Sequence, residues 1–152
     1  KKGSKNRRKA LKTLQRIHID ISNKRNDFEW KLAHELCKNH SFIALEDLNI
    51  EGMKKIWGRK ISDLSFSSFV LKLEQIANKY DTVVQKVDRW FASSKTCTCG
   101  VVNKELKLSD REWACQSCGE IHSRDHLAGN NILSEGIRLY RTKCETNIQL
   151  AV

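Results

Sequence analysis

The sequence predicts a mixed α/β fold with a four-cysteine metal knuckle embedded in it. Helical and strand-like stretches alternate twice in the first 87 residues, which suggests an α/β layer rather than an all-α bundle. A β-branched run, Thr82-Val83-Val84-Gln85-Lys86-Val87, reads as a strand. Four of the six cysteines cluster between Cys97 and Cys118, in a segment too polar for a core of its own.

The elements follow in order. Leu11, Leu14, Ile17 or His18, Ile21, Phe28, Leu32 and Leu36 recur at helical spacing and predict an amphipathic helix from about Lys5 to Lys38, weakened and open to a break at Ser22–Asn26. Asn39-His40 ends it. Ser41-Phe42-Ile43-Ala44-Leu45-Glu46 is a short apolar run between turn formers, read as a buried strand, and Asp47 to Met53 is read as the loop after it. Trp57 to Ser65 is basic, polar and irregular. From Ser67 to Lys79 the positions Phe69, Val70, Leu73, Ile76 and Ala77 predict a second helix, and Asn78–Asp81 a turn into the second strand. Residues 95–122 carry one strand candidate, Glu112 to Cys115. A last helix runs from about Arg124 to Tyr140, with Ser123 or Asp125 as its cap, and residues 141–152 are read as a tail.

Charge narrows the partners. The 28 Lys and Arg outweigh the 18 Asp and Glu, for a net charge of +10. Residues 1–16 hold eight cations and no acid; Lys5, Arg7, Arg8, Lys9, Lys12 and Arg16 are candidate nucleic-acid contacts, with a second group at Lys54, Lys55, Arg59 and Lys60. Cations near phosphates release condensed counterions, so a polyanion partner is favoured over a merely solvated helix face. The longest stretch free of Asp, Glu, Lys and Arg is His126 to Ser134, too short and polar for a membrane span. No apolar segment follows the basic start, so a secretory signal is not expected and a cytoplasmic location is. There is no proline, which argues against a proline-rich linker. The chain does not begin with methionine and is expected to be a piece of something longer.

Cys97-Thr98-Cys99-Gly100 and Cys115-Gln116-Ser117-Cys118-Gly119 are two cysteine knuckles separated by fifteen residues. Zn²⁺ takes four thiolates in a tetrahedron, and such a closed site builds structure rather than catalysis. The first knuckle is one residue short of the usual spacing. His122 replacing a ligand of that knuckle, or a redox pair, are the alternatives. Cys37 reads as a small buried apolar residue; Cys144 has no assigned role.

Glu46 closes an apolar strand, and Asp125 lies seven residues after Cys118 at the start of a helix. Acids at strand ends and helix starts can converge on Mg²⁺, and two such ions support phosphodiester cleavage. The bland alternatives are a helix cap for Asp125 and a surface acid for Glu46.

Three motifs in order resemble a known family. Ile43 to Ile50 (IALEDLNI) is similar to the second RuvC motif of OrfB/TnpB-type insertion-sequence proteins. Ser93 to Cys97 with Cys115 to Gly119 resembles their inserted zinc ribbon, and Arg124 to Ile132 (RDHLAGNNI) their third RuvC motif. The basic helix resembles the one that precedes the second motif. This resemblance implies a partial RNase H-like (RuvC) fold, related to type V CRISPR effectors. The organisation it implies is a basic helical and RuvC-like part at 1–92, a zinc ribbon at 93–122, a final RuvC-like helix at 123–140 and a tail at 141–152. It also implies an RNA-guided, Mg²⁺-dependent DNA endonuclease encoded by a prokaryotic transposable element and commonly called a transposase. Glu46 and Asp125 would be two of three catalytic acids, Zn²⁺ structural, and DNA and a guide RNA the partners, with no membrane. The family's first acid lies upstream of the basic helix, so this chain alone is expected to be inactive, with Asp88 a weak substitute. It is also expected to leave a sheet edge and an apolar face uncovered. A non-catalytic nucleic-acid-binding module and a degraded remnant are the rival expectations.

Overall fold

In the computed structural model, which describes residues 2–58, 61 and 64–150 (the side chains of 147–150 excepted), the named elements are α1 (Lys5–Asn39), β1 (Phe42–Glu46), α2 (Ile50–Trp57), α3 (Phe66–Tyr80), β2 (Val83–Val87), β3 (Glu112–Ala114), β4 (Ile121–Ser123) and α4 (Arg124–Leu150). They divide into two compact units, one of Lys1–Ser41 with Ser62–Thr82, the other of Phe42–Ile61 with Val83–Val152.

The first unit is a helix pair. Ser4 caps α1, its Oγ accepting from the Arg7 amide at 3.2 Å. The helix then runs unbroken through Ser22–Asn26, where a break had been open. Serine and asparagine each cost only tenths of a kcal/mol in a helix interior, and α3 holds this stretch: Lys72 Nζ donates to Asn26 Oδ1 at 2.7 Å and Arg25 to Ser65 Oγ at 3.4 Å. The buried face of α1 is Glu29, Ala33 and Cys37, in four-residue steps, against Leu73, Ile76 and Ala77 of α3. The predicted apolar stripe is therefore only partly used. Leu32 and Leu36 are half-buried, but Leu11, Leu14, Ile17, Ile21 and Phe28 are exposed, because α3 packs only on the C-terminal half of α1. Between the helices, Glu29 and Lys72 form a buried ion pair, joined by Ser68 Oγ, which donates to Glu29 at 3.0 Å. Asp81 ends α3 in the left-handed conformation (φ 52°), which aspartate tolerates, and Thr82 Oγ1 ties the Cys37 and His40 carbonyls at 2.9 and 3.0 Å.

The second unit is a two-stranded parallel sheet covered by α4. β1 and β2 pair in the register Phe42↔Val83 to Glu46↔Val87. Among the described residues the sheet has no third strand, so both strands keep an open edge. The loop expected over residues 47–53 is cut short, since α2 begins at Ile50. Asn49 makes the helix possible by accepting from the Gly52 amide at 3.0 Å, and a Cβ at position 52 would meet that asparagine at 2.6 Å. α4 lies on both strands. A Cβ at Gly136 would stand 2.8 Å from Ala44 Cβ, so the glycine sets how closely helix and strand approach. α4 does not stop at Tyr140 but continues to Leu150. No Gly or Pro interrupts 141–150, Tyr140 meets Phe42 edge-on, and Lys143 Nζ donates to Gln85 Oε1 at 3.0 Å.

Candidate functional site

The metal centre is built from two turns. Cys97 and Gly100 close the first, the Gly100 amide donating to the Cys97 carbonyl at 2.9 Å with Gly100 at φ 87°. Cys115 and Gly119 close the second in the same way, at 2.9 Å with φ 75°. β3 and β4 pair antiparallel and bring the second turn back over the first. β4 escaped the sequence reading because three residues, Ile-His-Ser, carry no periodicity. Cys97 Sγ lies 3.6 Å from Cys118 Sγ, and Cys99 Sγ 3.6 Å from Cys115 Sγ; all four sulfurs fall within 4.8 Å of one another. The short first knuckle thus presents both sulfurs inward.

The electrostatics of this cluster call for a cation. Burial works against a Cys97 thiolate, but the Cys99 amide, the His122 ring, the Cys99 thiol and the Thr98 hydroxyl outweigh it and bring Cys97 down to about 5. The Glu120 amide favours a Cys118 thiolate, yet the adjacent sulfurs and burial prevail and Cys118 is pushed up to about 12. One sulfur ionises readily and its neighbour resists, as like charges at this distance must. Four soft donors in a tetrahedral-sized shell fit a metal ion such as zinc, whose charge removes that conflict. Cys97, Glu120 and His122 form a second possible set that shares Cys97. His122 is buried, its Nε2 3.0 Å from Cys97 Sγ and its ring against Trp113 at 4.9 Å between centroids.

Below the knuckles the ribbon has a small core of Cys97, Leu106, Trp113, Cys115 and Leu127. Leu127 comes from the first turns of α4. Asn131, further along α4, donates from Nδ2 to the Ser93 and Thr96 carbonyls at 2.8 and 2.7 Å. These contacts join the ribbon to the helix that carries Asp125.

Glu46 and Asp125 line a cleft beside the end of β1. Glu46 is half-buried at the C-terminal end of its strand, and Asp125 lies inside the first turn of α4, not at its cap, with Ser123 the last residue of β4. Both line one cleft of about 560 Å³, with Arg89 and Trp90 after β2, Lys95, and Lys107 and Leu108 from the ribbon loop. Ligand clefts at the carboxyl ends of parallel strands are a general feature of α/β sheets. Asp125 is engaged by Arg111 of the ribbon at 3.2 Å, a partner that sequence spacing did not reveal, and by its chain neighbour Arg124 at 3.5 Å. Asp47 pairs with Arg89 at 2.7 Å, and Asp88 accepts from the Trp90 amide at 2.7 Å, so both of these acids have structural roles.

The candidate cations fall in different places. Lys5, Arg7, Arg8, Lys9, Lys12 and Arg16 are exposed on the N-terminal half of α1. On α2, Lys55 is exposed, whereas Lys54 is half-buried and pairs with Glu51 at 2.7 Å. Arg59 and Lys60 lie outside the described residues. Cys37 is buried on α1, as expected, and Cys144 is exposed on α4. Among the described residues, no helix is long and apolar enough to cross a membrane.

Comparison with known proteins agrees with these motifs. Residues 1–57 match the family described as "Probable transposase" (OrfB_IS605), and residues 66–132 match the Cas12f1-like TNB domain. The chain is 40% identical over 139 residues to a protein of Streptomyces pristinaespiralis named "Putative RNA-guided DNA endonuclease", covering 90% of this chain and 34% of that one. It is 33% identical over 144 residues to a TnpB-like protein of Acanthamoeba polyphaga mimivirus, covering 89% of this chain and 27% of the other. A protein of Escherichia coli K12 bearing the same endonuclease name is 31% identical over 152 residues, 89% of this chain and 38% of that protein. The chain therefore spans about a third of the length of the curated relatives it matches. Two family matches, over residues 1–57 and 66–132, and relatives that carry the TnpB name, assign the chain to the OrfB/TnpB-type family of insertion-sequence proteins.

Proposed function

We propose that this chain is the later part of a transposon-encoded, RNA-guided DNA endonuclease, an RNase H-like (RuvC) domain with a zinc ribbon set into it. The observation that carries the reading is that Glu46 and Asp125, 79 positions apart in the chain, line one cleft. Their hard oxygen donors suit Mg²⁺, which when bound activates water and stabilises the leaving oxygen of a phosphodiester. In this reading Glu46 and Asp125 hold the ion, and Arg111 and Arg124 orient the Asp125 carboxylate until the ion takes it. Cys97, Cys99, Cys115 and Cys118 hold structural Zn²⁺. The cations of α1, with Lys54, Lys55, Arg59 and Lys60, carry DNA and a guide RNA, and the setting is the prokaryotic cytoplasm at the nucleoid. Two carboxylates are fewer than a two-metal site needs, so the chain by itself is expected not to cut.

Mn²⁺ titration followed by electron paramagnetic resonance tests the ion site on the zinc-loaded chain. Weak binding that disappears in Glu46→Gln and in Asp125→Asn is expected; binding untouched by both variants refutes it. Incubation with labelled single-stranded DNA and Mg²⁺ or Mn²⁺ tests inactivity, and robust cutting that is lost in Glu46→Gln refutes that. The second reading, a non-catalytic nucleic-acid-binding module, is favoured by the engagement of Asp125 with two arginines. It predicts a salt-dependent gel shift without cleavage, unchanged by Asp125→Asn.

A further inference from the structure

An exposed tryptophan at the mouth of the carboxylate cleft is not explained by folding. Trp90 is 86% exposed, so it contributes little to the core, yet its backbone is held firmly. Its amide donates to Asp88 Oδ1 at 2.7 Å, the Phe91 amide to the Asp88 carbonyl at 3.0 Å, and the Ser93 amide to the Phe91 carbonyl at 2.7 Å. This turn leads directly out of β2 and leaves the indole on the cleft that Glu46 and Asp125 line. Across the same cleft Leu108 is 93% exposed, and its carbonyl is fixed by Arg124 at 2.6 Å. The cleft lining holds four cations, Arg89, Lys95, Lys107 and Arg124, against two carboxylates. A net positive lining selects a polyanion over an apolar peptide or a second copy of this basic chain. A polyanion with flat apolar faces is a nucleic acid with unpaired bases. An aromatic ring on a preorganised turn is the means by which proteins hold such bases without reading sequence.

We propose that Trp90 stacks an unpaired base of single-stranded DNA at the rim of the Glu46–Asp125 cleft, with Lys95 and Lys107 on the flanking phosphates. Trp90 is then a positioning residue. The stacked base fixes the strand, and the next phosphodiester lies over the two carboxylates. This deepens the nuclease reading and rests on it for the purpose of the strand, but the stack itself requires neither divalent ion nor chemistry.

The test compares binding of the zinc-loaded chain, without added Mg²⁺ or Mn²⁺, to a thymidine oligonucleotide and to an equally long strand of abasic tetrahydrofuran phosphates. The two carry the same charge, so the basic helix contributes equally to both. The thymidine strand is expected to bind tighter by roughly 5- to 150-fold, the worth of one base–aromatic stack. Trp90→Ala should abolish that preference and leave the salt dependence unchanged, while Trp90→Phe should retain most of it. Equal binding of both strands by the wild type, or a preference that survives in Trp90→Ala, overturns the proposal. A strand carrying 5-iododeoxyuridine gives a readout on the unaltered protein: photocrosslinking at Trp90 is expected, and crosslinks confined to other residues overturn it. If Mn²⁺ binding fails while the base preference holds, the nuclease reading falls and the stacking site stands; the reverse result removes only the stacking site.

Discussion

Gly136→Ala should destabilise the second unit, although alanine is the better helix former. In a helix interior the substitution gains about 0.5–1 kcal/mol from reduced backbone freedom. Here the new methyl carbon would stand 2.8 Å from Ala44 Cβ, where carbon atoms prefer about 3.5–4.0 Å. The helix must retreat from β1 by ~0.7–1.2 Å, and overpacking of this size costs about 1–3 kcal/mol. The net expectation is a loss of about 0–2.5 kcal/mol. The pair makes the reasoning sharper than the single change. In Ala44→Gly the obstructing carbon is gone, and the remaining neighbours, Phe42 Cε1 and Cζ at 3.5 and 3.7 Å, lie at ordinary contact. Gly136→Ala should then stabilise, so the sign reverses and the coupling is about 1–3 kcal/mol. Native-state hydrogen exchange of the β1, β2 and α4 amides measures it, because it reads this unit separately from the helix pair. Equal stabilisation by Gly136→Ala in both backgrounds would show that the close approach exerts no constraint.

The zinc-loaded chain should contain one metal per molecule, and chelation or Cys115→Ser should unfold residues 93–123, seen as loss of near-ultraviolet dichroism from Trp113; an unchanged spectrum refutes a structural metal. Glu29→Ala leaves Lys72 charged in a site that exposes 12% of its side chain, and should cost about 3–5 kcal/mol by urea unfolding, whereas Glu29→Met with Lys72→Met should be near neutral. A loss below about 1 kcal/mol in the single variant would show that water reaches the lysine. The Arg138 guanidinium, hydrogen-bonded at 2.6 and 2.8 Å, holds Glu135 below its ordinary value of 4.5. The pair's contribution is therefore complete above that value and is lost as pH falls through the lower folded-state value. Melting between about pH 6 and pH 3 should show this component in the wild type and not in Glu135→Gln.

The alternation of helix and strand was legible because the short apolar run ending at Glu46 and the β-branched run at 82–87 stand apart from helical periodicity. What was hidden depended on contacts distant in sequence. The stripe from Leu11 to Phe28 has the pattern of a buried face, but α3 reaches only Glu29, Ala33 and Cys37, so tertiary docking, not periodicity, decides which side is covered. α2 is eight residues long, and its start depends on one Asn49 hydrogen bond in a stretch rich in turn formers. The four sulfur ligands and the two acids could be picked out by residue type and motif. Arg111 could not be assigned to Asp125, because β3 and β4 must pair before it arrives there. Despite the one-residue deficit, the first knuckle closes as the second does, on a glycine at positive φ (Gly100 at 87°, Gly119 at 75°) that an ordinary side chain would resist.

The ribbon and the cleft are energetically one piece. Leu127 completes the ribbon core two residues after Asp125 joins the cleft, so one stretch of α4 presents both side chains. Asn131 fastens that helix to the Ser93 and Thr96 carbonyls, at the entrance to the first knuckle. Arg111, from the ribbon, reaches back to Asp125, and its carbonyl accepts the Arg124 amide at the start of α4. Metal affinity at the four sulfurs is folding free energy for the segment between them, because the tetrahedral arrangement does not exist in the unfolded chain. That free energy is transmitted to α4 through Leu127 and Asn131, and to the Asp125 carboxylate through Arg111. In the proposed reading, a metal ion held by the four sulfurs would thereby order the start of the helix that carries Asp125.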